Sequence, residues 1–164
     1  MFHPLRVIAI GLALLPPVQA NAATRVYLIR GLLGWLVAPM NQLATDLQAQ
    51  GATVEMSSWT DITLATDACA HRHDHLVFVA HSLAGPMATV TAAAARLCGA
   101  RVHVIAIDPV PGGQALNSPT TAFIGPLGGT VAGAHNIRVQ GHNHIGMAED
   151  EAMRQRIVTA VMGR

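Results

Sequence analysis

The sequence predicts an α/β fold: a single domain on a minimal doubly wound, mostly parallel sheet of about five strands, with no cap domain. Three observations carry this. Short apolar runs alternate with stretches of helical period along the chain after residue 24, and such alternation implies parallel neighbouring strands. One run, Leu76-Val77-Phe78-Val79, passes through Ala80-His81-Ser82 straight into an alanine-rich helical stretch. The chain has 164 residues, a length that suits one domain and leaves no room for a helical cap.

The elements follow in order. Arg6 begins a leader; Val7–Leu15 is an apolar stretch of nine residues, and Pro16-Pro17 breaks it. Val18-Gln19-Ala20 or Ala20-Asn21-Ala22 then supplies small residues for cleavage. This reads as a secretory signal peptide over residues 1–22, with the domain at 23–164. The stretch is too short to span a bilayer. Strand-like runs are Val26–Arg30, Thr53–Ser57, Leu76–Ala80, Val102–Ile107 and Asn136–Val139. Between them, Met40, Leu43, Ala44 and Leu47 form an amphipathic stripe ended by Gly51, and Ile62, Ala65, Thr66 and Cys69 form a weaker one. Pro86–Leu97 is a third helix, ended by Gly99. Glu149–Met162 closes the chain with Met153, Ile157, Val158 and Val161 on one face. Residues 109–135, rich in Gly, Pro and Thr, have no period and read as a long loop at the rim of a site.

Composition narrows the partners. Half the residues are apolar, and ten arginines stand against nine acidic residues with no lysine. No basic patch or charge run is present, so neither nucleic acid nor an anionic membrane surface is indicated. Export would put Cys69 and Cys98 in an oxidising compartment. Each falls near the C-terminal end of a helix flanking the Leu76–Ala80 strand. In a doubly wound fold those helices lie side by side, which allows a disulfide; two buried thiols are the alternative.

A serine lifted out of a sheet at a strand–helix turn sits where backbone N–H groups meet developing negative charge. The usual pattern is Gly-x-Ser-x-Gly. Here both glycines are alanines, Ala80 and Ala84, and Gly85 follows. Together with Arg25–Gly34 and the segment Asn136–Gly146, in that chain order, this turn resembles the α/β-hydrolase family, specifically its small secreted bacterial lipases and esterases. The resemblance spans about Arg25 to Met162. It implies the strand order second-first-third-fourth-fifth, with Ser82 at the carboxyl end of a central strand.

The chemistry follows the same order. Ser82 is the expected nucleophile; a helix N-cap is the bland reading. A serine needs a base, and the base needs an orienting acid. Asp108, ending the strand Val102–Ile107, is the one acidic residue between Ser82 and His144. Most family members carry the acid one strand later, and the Asp-Pro here resembles the pancreatic-type lipases instead. The base is His142 or His144. His144-Ile145-Gly146-Met147 fits the family pattern better, leaving His142 to face the substrate. The resemblance places the oxyanion-hole N–H groups at Leu83 and Leu32, where Arg30-Gly31 replaces the usual His-Gly. Leu33 and Trp35 are expected at the substrate cleft.

His71-x-His73-x-His75 places alternate imidazoles on one face of an extended segment, but without nearby Cys or Glu at ligand spacing no metal is expected. No cofactor is expected either. His81, inside the serine motif, reads as a packing residue. The resulting expectation is a secreted or periplasmic serine enzyme cleaving small-molecule or lipid esters through an acyl-enzyme, without stable membrane insertion. Thioester cleavage or acyl transfer by the same triad is a second reading. A non-catalytic binding protein of the same fold is a third, favoured by the two alanines and the unusual place of the acid.

Overall fold

The computed structural model describes residues 22–32 and 38–163. The leader read at residues 1–22 thus lies outside the described residues except for its last position. In chain order the elements are β1 (Thr24–Arg30), α1 (Ala38–Ala49), β2 (Thr53–Ser58), α2 (Leu64–Ala70), β3 (His75–His81), α3 (Ala84–Leu97) and β4 (Arg101–Ile107). Then follow β5 (Gly113–Gln114), β6 (Thr120–Ile124), β7 (Val131–Ala132), β8 (His135–Arg138), α4 (Gly146–Glu149) and α5 (Glu151–Met162).

The main sheet has six strands in the order β2-β1-β3-β4-β6-β8, and β5 pairs with β7 in a separate ribbon. Every pairing is parallel. The central strands read as unbroken apolar runs because both faces are covered. Side chains alternate across β1. Val26 and Leu28 face one core with Leu43 and Leu47 of α1 and Ile157 and Val161 of α5. Tyr27 and Ile29 face the other, with Leu64 and Ala68 of α2 and Ala88 and Ala92 of α3. Alanine is the best helix former and has the smallest side chain that remains apolar, so α3 lies close against β3 and β4. Tyr27 stacks on Phe78 at 5.1 Å and donates its hydroxyl to Asp67 at 2.6 Å. Arg154 of α5 ties to Asp46 of α1 at 3.0 Å on the opposite face.

The sheet differs from expectation in its fifth position. Residues 109–135 are not structureless: Thr120–Ile124 is a full sheet member between β4 and β8. Its Thr-Thr-Ala-Phe-Ile pattern is β-prone, but the surrounding Gly and Pro masked it. The last helix is also divided. Asp150 is extended (φ −66°, ψ 129°), and its carboxylate caps α5 by accepting from Met153 N–H at 2.8 Å.

Cys69 and Cys98 form a disulfide, with Cα atoms 5.7 Å apart. It joins the last turn of α2 to the end of α3, as the side-by-side placement of those helices predicts. Among the described residues no helix is long and apolar enough to cross a membrane.

Candidate active site

Parallel register brings the carboxyl ends of β1, β3, β4 and β6 to one edge. Ile29 pairs with Ala80, His81 with Ile107, and Ile107 with Phe123. The next residues along each strand therefore converge: Gly31, Ser82, Asp108 and the Gly125 loop.

Ser82 turns from β3 into α3 with φ 61°. The left-handed region costs an L residue about 1–3 kcal/mol and persists only where neighbours enforce it. Here its N–H donates to Ile107 O at 3.0 Å, and its carbonyl accepts from Gly85 N–H at 3.0 Å and Val110 N–H at 3.2 Å. The serine turn is thus fastened to the segment that carries Asp108. Two glycines let other backbone pass. A β-carbon on Gly31 would lie 2.7 Å from the His81 carbonyl oxygen and 3.3 Å from Leu83 N. One on Gly85 would lie 2.7 Å from Pro109 Cβ. A tight approach after the serine falls on Gly85, one position beyond the buried Ala84.

Asp108 follows β4 with φ 44° and is completely buried. A buried carboxylate is costly unless its oxygens are hydrogen-bonded. Oδ1 accepts from Gly125 N–H at 2.7 Å and Gly128 N–H at 2.6 Å; Oδ2 accepts from Leu127 N–H at 3.4 Å. Gly125-Pro126-Leu127-Gly128 is therefore a cradle of backbone donors. A β-carbon on Gly128 would fall 2.2 Å from Oδ1, and one on Gly125 would meet both the carboxylate and the buried Met147 sulfur. The glycines of this stretch serve the acid.

His144 sits between β8 and α4. Asn143 Oδ1 accepts from Gly146 N–H at 2.7 Å and fixes the turn. His144 Nδ1 is 2.7 Å from Asp108 Oδ2, and Nε2 is 2.9 Å from Ser82 Oγ. A carboxylate only accepts, so Nδ1 carries the proton and the bare Nε2 accepts from the Ser82 hydroxyl. This line can take a proton from a serine and balance the resulting imidazolium with a buried charge, the arrangement that makes a hydroxyl nucleophilic.

The N–H groups at the start of α3, Leu83 first, have no intrahelical acceptor, and the Gly31 backbone passes beside Leu83 N. Leu32, next in the chain, is largely exposed. Leu33 and Trp35, expected at the cleft, lie outside the described residues. His142 is half-buried and takes no part in the hydrogen-bonded line.

His81 is more than packing. Its Nε2 donates to the His144 carbonyl oxygen at 2.9 Å, and the two rings lie 4.6 Å apart at 32°. Burial holds its pKa below the ordinary 6.5, against the hydrogen bond to the His144 carbonyl, which raises it. Asn143 and the glycine cradle were likewise not singled out from the sequence. The glycine density of residues 125–129 is a signal for the cradle alone.

The segment His71–His75 is not extended as expected: only His75 lies in a strand, as the first residue of β3. Residues 71–74 form turns, and His71 Nδ1 bonds back to Asp67 O at 3.0 Å. Among the described residues no group of three or more His, Cys, Asp or Glu could hold a metal ion. Two open grooves share Arg96 and Pro119 at the amino end of the sheet, away from Ser82.

Neither the protein-family models nor the curated protein sequences give a match to this chain.

Proposed function

We propose that this protein is a serine hydrolase of the α/β-hydrolase type, without a cap, that cleaves carboxylic esters through an acyl-enzyme. One observation carries the reading: Ser82 in the left-handed turn at the head of α3, 2.9 Å from a histidine that is itself 2.7 Å from a buried aspartate.

Ser82 Oγ attacks the ester carbonyl carbon as its proton passes to His144 Nε2. Asp108 holds the ring through Nδ1–H and offsets the imidazolium charge. The oxyanion meets the N–H groups of Leu83 and Leu32; such a donor contributes about 3–4 kcal/mol to lowering the barrier. The C–O bond breaks, the alcohol leaves with the His144 proton, and an acyl-Ser82 ester remains. Water, deprotonated by His144, then releases the acid.

The Cys69–Cys98 disulfide supports an oxidising compartment, in keeping with a secreted or periplasmic enzyme freed from its leader. The substrate is a small or medium ester entering an open cleft with apolar walls. A fluorophosphonate tests the reading directly. Stoichiometric labelling at Ser82, absent in Ser82→Ala, is expected, together with turnover of p-nitrophenyl esters. An unlabelled, inactive native protein would leave a binding protein of the same fold.

A further inference from the structure

His81 occupies the variable position of the serine motif, yet it is joined to the base rather than to the serine. Its Nε2–H donates to the His144 main-chain carbonyl at 2.9 Å across 63 positions of sequence. Its ring lies against the His144 ring with centroids 4.6 Å apart. His144 stands in a short turn between β8 and α4, and its own ring bonds only to Ser82 and Asp108. Asn143 fixes that turn from the α4 side. The contact that anchors the His144 backbone to the serine strand is His81.

We propose that His81 is a positioning residue. Through its Nε2–H bond and ring contact it locks the His144 backbone to the end of β3, so that Nε2 of His144 stays on Ser82 Oγ as the imidazolium forms and decays. The inference rests on the hydrolase reading above. Position matters because an ångström of misplacement at a reacting group costs about a hundredfold in rate. The charge state matters too. A neutral imidazole beside a base that becomes cationic adds no full charge of like sign, and burial favours the neutral form of His81. A lysine or arginine there would donate the same hydrogen bond and oppose the imidazolium.

The test compares His81→Phe with His81→Gln. Phe keeps a ring against His144 and removes the donor. Gln keeps an N–H that can reach the carbonyl. His81→Phe is expected to lose about ten- to hundredfold in kcat with KM within about twofold, since His81 bonds to the His144 main chain rather than to Ser82. Fluorophosphonate labelling of Ser82 slows by the same factor. His81→Gln returns kcat to within about fivefold of native. Equal kcat for Phe and native would overturn the proposal, as would a Gln variant no better than Phe.

Nitrogen NMR of the native protein supplies a measurement that needs no variant. His81 must be in the Nε2–H tautomer; a Nδ1–H tautomer overturns the proposal even if His81→Phe does not fold. The two readings fail differently. Native protein that neither turns over esters nor labels at Ser82 removes the hydrolase reading. Native protein that labels, beside a His81→Phe variant that labels equally fast, removes only the role of His81.

Discussion

Three side chains carry the proposed chemistry, and each answers to a different constraint. Ser82 is set by a strained turn, Asp108 by a cradle of N–H donors, and His144 by the pair it bridges. Ser82→Ala should fold and lose both labelling and turnover. His144→Ala should cost several orders of magnitude in kcat, and His142→Ala far less, because only His144 stands within hydrogen-bond reach of Ser82. Asp108→Asn should cost about 10⁴-fold in kcat. Its amide would turn an NH₂ toward His144 Nδ1 or toward the donors of Gly125 and Gly128, which already point at that site. Steady-state kinetics on a soluble ester separates the three. The proposed nucleophile was readable because the motif points to it, and the proposed base because the last strand leads to His142 or His144. The cradle was not: a glycine whose purpose is to bring an N–H to a carboxylate looks like any loop glycine until the carboxylate is placed beside it.

Elements place these residues by their ends. The loop between β6 and β8 holds Asp108, and its fit is tight enough to test. Gly128→Ala puts a methyl carbon 2.2 Å from Oδ1, so the loop must withdraw. Losing N–H donors from a buried carboxylate costs about 1–3 kcal/mol per unmet bond. Gly128→Ala should therefore lower both the thermal midpoint and kcat. Gly133→Ala, in a roomier but left-handed position, should be strained without touching Asp108 and should spare kcat in the folded fraction. On the other face the disulfide closes a loop of 29 residues between the ends of α2 and α3. In the chain-entropy model this stabilises the protein by about 3–4 kcal/mol. Cys69→Ser with Cys98→Ser should lower the urea midpoint accordingly and leave kcat nearly unchanged, since the bridge lies at the far end of the helices from Ser82.

Among the described residues, His81 and His103 have rings whose burial favours the neutral form. His81 is held below the ordinary pKa of 6.5 mainly by burial, and His103 by burial with His75 adding repulsion. In both the unfolded chain binds the proton more readily. Their contribution is complete above pH 6.5, declines as the pH falls below that value, and is gone once the folded-state values are passed. Urea midpoints measured between pH 7.5 and 5 should fall with pH over that window. His103→Gln should flatten the slope; an unchanged slope would assign the loss to other groups. The whole molecule also sets the kinetics at an interface. For the capless cleft proposed above, activity on a short-chain ester should rise smoothly through its solubility limit, and a sharp jump there would require a hidden lid.

By itself the sequence determined the alternation of strands and helices and the serine turn, and it pointed to Asp108, to His142 or His144 and to a pairing of Cys69 with Cys98 as one of two readings, because each depends on local period, local turn chemistry or chain order. Only the tertiary structure decided that Thr120–Ile124 joins the sheet. A five-residue run between glycines and prolines has no local advantage as a strand, and it becomes one when β4 supplies a parallel partner from Val104 to Ile107. The same holds for His81. Its identity was visible beside Ser82, but its bond to His144 spans 63 positions, and no local pattern encodes a contact that the parallel register of the sheet creates.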